Sequence, residues 1–236
     1  MTDITILYDL KEFLSMSFPA VVNTTITAAE GSTITFANNI GAVNAWVGGI
    51  IVIKTSPYKN LHGVIISNTA NSVTLVTPIV HRSKLSTLIG KAVDVTGGPL
   101  GQSRFYITDP DNVDKGFDSG KNYLVVMNIS GGGLKQKSMG AGLGKGVHST
   151  MRETDIEIAC ETKDIVGART PDEVYLAAFG LHQLKDQVLF LAHNYINSIA
   201  RPIMSPEFNY QLLSYIRPGS PTRLRACVIE FSINTV

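Results

Sequence analysis

One stretch limits the fold of this chain more than any other: TPDEVYLAAFGLHQLKDQVLFLAHNYINSI, starting at Thr170. TPDE is a helix-start signature, with Thr170 as cap, Pro171 at the first helical position and Glu173 placed for a capping box. Asp172 and Glu173 also suit the positive end of the helix dipole. Val174, Ala177, Ala178, Leu181, Leu184, Val188, Leu191, Ala192, Tyr195 and Ile199 then recur at intervals of 3, 4 and 7. That pattern predicts one helix of about eight turns with a single broad apolar face, ending near Pro202. A helix this long must lay its face on something equally long, and a sheet is the natural support.

The strands for that sheet come from both sides of the helix. YLVVMNIS (123–130) is nearly continuous in apolar residues and predicts a buried strand. TDIEIACET (154–162) alternates, placing Ile156, Ile158 and Cys160 on one face. After a proline-containing connection, TRLRACVIEFSINTV (222–236) closes the chain as a further strand. RFYITDP is a shorter strand stopped at Asp109-Pro110, and TGGPLGQS before it reads as a loop. At the other end, TILYDLKEFLSM (5–16) spaces Leu7, Leu10, Phe13 and Leu14 as a short amphipathic helix.

Between Val21 and Val80 the period changes. TTITAA, STITFA, WVGGIIVIKT, HGVIISN and SVTLVTPIV are rich in Val, Ile and Thr, and turn signals at Glu30-Gly31, Asn38-Asn39, Ser56-Pro57 and Asn68–Asn71 separate them. Short strands this closely spaced predict a small antiparallel barrel or sandwich. With about 55–60 residues its core is modest, and it is expected to lean on a neighbour. The predicted class is α+β: residues 1–18 and 100–236 form a sheet packed by a long helix, and residues 19–99 form an inserted small all-β domain.

Composition adds a weak pointer to assembly. Only 17% of the residues are charged against 44% hydrophobic, as expected where neighbouring subunits cover surface. A net charge of +1 leaves no global field toward DNA or a membrane. The start MTDITILYDL has no basic segment leading an apolar one, so no signal peptide is expected, and no apolar run reaches the ~18 residues of a membrane span. Cys160 and Cys227 match no metal or redox spacing and read as buried thiols.

GGGLKQKSMGAGLGKGVH (131–148) is the segment closest to a chemical motif. A phosphate-cradling loop needs G-x-x-x-x-G-K-[ST] and a following helix. Here Gly146 stands where the hydroxyl should be, Met139 replaces the first glycine, and VHSTMRETDIEI runs into a strand. What remains is a glycine-rich, basic segment carrying Lys135, Lys137, Lys145, His148 and Arg152, expected to be mobile until assembly orders it. Its two readings are an arm that contacts phosphate or an acidic neighbour, and a solvated hairpin tip. The first is favoured.

No other constellation suggests catalysis or a cofactor. The carboxylate pairs Asp109/Asp111, Asp155/Glu157 and Asp172/Glu173 sit in a turn, on the polar side of a strand and at a helix start. His62, His81, His148, His182 and His193 form no metal-ligand spacing. Trp46 in AWVGGIIVI reads as core.

The order of elements resembles the tail terminator (tail-completion) proteins of long-tailed bacteriophages: a short N-terminal helix, YLVVMNI, a loop, TDIEIACET, a helix opening TPDE, and RLRACVIEFSI last. The likeness covers about residues 1–18 and 100–236. WVGGIIVIKTSPYKNLHGVIISNTANSVTLV is similar to small β modules that decorate phage structural proteins. The resemblance implies a non-enzymatic virion protein with no cofactor, a homohexameric ring at the head–tail junction that caps the tail tube and docks on the head-side connector. DNA would pass through its lumen, the basic residues would face DNA or a neighbouring subunit, and sheath or collar protein would be an outer partner. Assembly would take place in the host cytoplasm, without a membrane partner. Two alternatives remain: a head-closure or collar protein that docks through the β domain, and a nucleotide-binding enzyme that uses the glycine-rich segment.

Overall fold

The computed structural model describes residues 3–107, 123–139, 147–163, 171–199, 208–216 and 223–235. The Thr170 cap, the Asp109-Pro110 stop and Lys145 lie outside these residues.

Alternation in the Thr- and Ile-rich segment builds strands whose inner positions are mostly apolar, with Thr24 and Asn68 as buried polar exceptions. They are β1 (Val22–Glu30), β2 (Thr33–Phe36), β3 (Ile50–Ile53), β4 (His62–Asn68), β5 (Ser72–Leu75) and β6 (Ala92–Thr96). They close a barrel in the order β1-β2-β5-β4-β3-β6, with every pair antiparallel. Closure leaves no free strand edge, which resolves the choice between barrel and sandwich. Inside lie Ile26, Ile34, Phe36, Ile51, Ile53, Ile65, Val73 and Val95, together with Trp46, whose indole N–H donates to the Ile40 carbonyl at 2.7 Å. Gly31, at φ +58°, makes the β1–β2 turn that a side chain would strain.

Two details differ from the sequence expectation. The barrel's last strand is β6, AVDVT, which lies beyond the segment where strands were predicted. Trp46–Gly49 and Thr77–Val80 are turn and irregular chain rather than ends of strands. A buried polar residue organises this irregular part: Asn68 accepts from the Trp46 N–H at 2.9 Å and donates to the Ala42 and Thr69 carbonyls at 2.8 and 2.9 Å.

The remaining strands form a five-stranded sheet ordered β10-β11-β9-β8-β7, comprising β7 (Ser103–Ile107), β8 (Tyr123–Met139), β9 (Val147–Lys163), β10 (Asn209–Ile216) and β11 (Arg223–Thr235). Only the β7–β8 pair is parallel. β10 falls where the sequence suggested a connection. One face of the sheet carries α1 (Asp3–Leu14) and α3 (Pro171–Ile199); α2 (Gly98–Gly101) is a single turn leading into β7. Ile6, Leu7, Leu10 and Leu14 of α1 meet Leu181, Leu184, Val188 and Leu191 of α3 over Val125, Met127, Ile156, Ile158 and Ile229. Each such large apolar side chain contributes about 1.5–3 kcal/mol when fully buried. Phe13, expected on the buried side of α1, is 36% exposed, though its ring still lies 5.6 Å from that of Tyr195. Gly180 lets α3 settle on the sheet, because a Cβ there would overlap the Tyr123 hydroxyl.

The first helix therefore shares its core with residues that follow the barrel in the chain. This leaves the barrel as an excursion between α1 and β7, and its junction with α3 becomes the structurally demanding point.

Candidate functional site

The glycine-rich basic segment is strand for most of its length. β8 runs unbroken through Gly131, Gly132 and Gly133 to Met139, and pairs residue by residue with β9 as far as Met139 opposite Val147. Where it is described, at 131–139 and 147–148, the segment expected to be mobile is part of a two-stranded ribbon; residues 140–146 lie outside the described residues. The glycines serve close approach: a Cβ on Gly132, at φ +153°, would stand 2.6 Å from the Glu153 carbonyl, and one on Gly131 would stand 2.9 Å from the Asp155 carboxylate. The register shifts between Ile129 and Gly131, a bulge of the kind that bends and twists a ribbon.

Register places the candidate residues. Lys135 and Lys137 of β8 stand opposite Met151 and Ser149, His148 of β9 stands opposite Ser138, and Arg152 opposite Leu134. β11 pairs with β9 only as far as Arg152, and β7 covers β8 only from Tyr123 to Met127. From Lys135 onward the ribbon therefore extends about 17 Å beyond β11 at the usual rise per residue. The basic positions cluster in or beside this extension. Among the described strands, β8 has no partner on its outer side from Asn128 to Met139. The residue after Gly146 opens β9 rather than a helix, so the helix N-terminus required by a phosphate loop is missing here.

A second constellation went unnoticed in the sequence. On α3, Lys185, Asp186 and Gln187 join three parts of the fold. Gln187 is fully buried. Its amide donates to the Gly48 carbonyl at 2.7 Å and the Gly97 carbonyl at 2.9 Å, and its oxygen accepts from the Leu100 N–H at 3.2 Å. Asp186 accepts from Nε2 of His62 in β4 at 2.9 Å and pairs with Lys185 at 2.9 Å. The Lys185 ammonium lies 4.4 Å above the Tyr210 ring of β10. Next to this junction, a groove of about 460 Å³ between barrel and α3 is lined mainly by apolar groups, including Val64, Val76, Leu189, Phe190 and Phe208, with His62 and His193 among them. The two histidines, scattered in sequence, thus meet at one groove. No group of three His, Cys, Asp or Glu suited to a metal occurs among the described residues.

Burial alone would raise the Asp186 pKa, but the hydrogen bonds and charges of His62 and Lys185 outweigh it and hold the carboxyl below its ordinary value. A depressed folded-state pKa stabilises the fold above the unfolded value, about 3.9, and that contribution is lost as pH falls through the folded value. Asp186→Asn is therefore expected to lower stability near neutral pH by up to about 1 kcal/mol, a partly exposed pair being screened. Thermal melts of both proteins should converge below about pH 4. A gap that persists or widens in acid would contradict this role.

Of the other carboxylate pairs, Asp155 accepts a short hydrogen bond from the Ser232 hydroxyl, a cross-strand structural role. Asp109 and Asp111 lie outside the described residues. No described helix is long and apolar enough to cross a membrane. No protein-family model matches the sequence, and no curated protein is significantly similar to it.

Proposed function

We propose that this protein is a non-catalytic ring subunit at the head–tail junction of a long-tailed bacteriophage. It terminates the tail tube, docks on the head-side connector and leaves a lumen for DNA. The order of elements that resembles tail terminators motivates this reading. The observation that carries it is the β8/β9 ribbon, which runs past the sheet with basic residues at Lys135, Lys137, His148 and Arg152 and with an outer edge that has no partner among the described strands. The opposite margin of the sheet, β10, is also a terminal strand, with Asn209, Tyr210 and Gln211 exposed. Two different edges on one subunit favour a head-to-tail contact, and such contacts make a ring when the rotation between subunits closes.

The test is native mass spectrometry and negative-stain electron microscopy of the purified full chain over a range of concentrations. A homohexamer with a central pore is expected. A monomer at every concentration, alone and with tail tubes, would sink the proposal.

The barrel gives the second reading specific support. Val43, Leu61, Ile66, Val76 and Ile89 are large apolar residues on its exterior, between 38% and 68% exposed. A head-closure or collar protein docking through the barrel would crosslink to its partner from the barrel, whereas a tail terminator would crosslink to the tube from the sheet and ribbon.

A further inference from the structure

The two cysteines, far apart in sequence, are direct partners across neighbouring strands: Cys227 of β11 stands opposite Cys160 of β9. Both are fully buried in the same apolar core, so both thiols point to the face covered by α3. The register on either side is regular, with Ala226 opposite Glu161 and Val228 opposite Ala159, and the pairing therefore does not slip. Opposite Cα atoms in antiparallel strands are about 4.5 or 5.5 Å apart, and both spacings fall within the ~4.4–6.8 Å that a disulfide spans. The thiols are free in this structure.

We propose that Cys160 and Cys227 are a latent disulfide site, and that oxidation of the folded chain by a peroxide joins them and staples β9 to β11 beneath α3. One sulfur attacks a peroxide oxygen, giving a sulfenic acid and one water. The second sulfur then attacks the first and releases a second water. Two S–H bonds break, one S–S bond forms, and the two electrons reduce the peroxide.

The surroundings keep the pair reduced until such an oxidant arrives. Burial pushes the Cys160 thiol well above its usual range, helped by Cys227 and Glu161 and opposed by Lys185. Burial likewise raises Cys227 to about 11, with Lys185 opposing. Neutral buried thiols react slowly with disulfides and peroxides alike, so a small, uncharged oxidant at millimolar concentration is the class that reaches them, reacting through the minor thiolate fraction. The crosslink closes a loop of roughly 70 residues that includes α3, which is long enough for a large effect on the unfolded chain.

The experiment exposes the folded full chain to millimolar hydrogen peroxide, quenches, unfolds it in iodoacetamide and measures intact and peptide masses. The expected product has lost two hydrogens, takes up no alkyl group, and yields one linked peptide pair containing Cys160 and Cys227. Its Tm rises by about 5–10 °C and returns on reduction. Cys160→Ser and Cys227→Ser should each abolish the linked product. Full alkylation of both thiols after peroxide, addition of oxygen without a linked pair, links between chains, or an unchanged or lower Tm would each overturn the proposal, and the wild-type measurement suffices if a variant fails to fold.

Discussion

In a urea titration, Gln187→Leu is expected to be less stable than the wild type by about 3–5 kcal/mol, with its barrel and α3 unfolding at different urea concentrations. Gln187 meets the Gly48 and Gly97 carbonyls and the Leu100 N–H without help from water, since its side chain is fully buried. Leucine fills similar space but leaves these backbone groups unsatisfied, at about 1–3 kcal/mol each. The backbone here is closely packed: a Cβ on Gly48 would stand 3.0 Å from Leu191 and one on Gly98 2.7 Å from Ile50. Trp46 is the single tryptophan and lies in the barrel core, so its fluorescence follows the barrel while the far-ultraviolet helix signal follows α3. The two signals should coincide in the wild type and separate in the variant. A loss below about 1 kcal/mol with coincident signals would mean that apolar contacts alone hold the junction.

The same residue marks where sequence reasoning stops. The apolar face of α3 was legible because Leu181, Leu184, Val188 and Leu191 repeat at helical spacing and all prove buried. Gln187 lies between them, and a glutamine in an amphipathic helix looks the same whether it faces water or backbone groups of two distant segments. His62 and Asp186 are 124 residues apart, and only the packing of barrel on helix brings them together. β6 was missed because Asp94 and flanking glycines weaken its apolar signal; that aspartate pairs with Lys54 at the barrel surface. β10 was missed because prolines bracket NYQLLSYI and suggest a connection. The barrel's other strands were legible through plain alternation. GGG misled most: three glycines imply mobility by composition, yet Gly131 and Gly132 are required by the closeness of β9 at a bulge. Composition reports the freedom of an unfolded segment, whereas pairing decides whether that freedom is used.

If the ribbon makes the ring contact, replacing residues 134–151 with a two-residue turn should leave a folded monomer that no longer assembles. The fold should survive because the described core residues of β8 and β9 lie outside that segment: Leu124 to Met127 on one strand and Ile156 to Cys160 on the other. The shortened hairpin also keeps every β9–β11 pair from Glu153 to Lys163. The Tm should therefore move by no more than a few degrees. The contact should weaken severely. Five paired residues of ribbon beyond β11 offer one strand edge to a neighbour, and about four new backbone hydrogen bonds at ~1 kcal/mol each amount to roughly a thousandfold in dissociation constant. Light scattering after size exclusion would show the hexamer replaced by monomer at concentrations where the full chain is a ring. Lys135→Glu with Lys137→Glu tests the charge separately from the strand. Should the lysines face DNA, the ring persists and the salt dependence of DNA binding flattens; should they face an acidic neighbour, the ring itself is lost. A ribbon-deleted protein that still forms the ring would remove the structural basis for the head-to-tail contact and leave the barrel as the assembly surface.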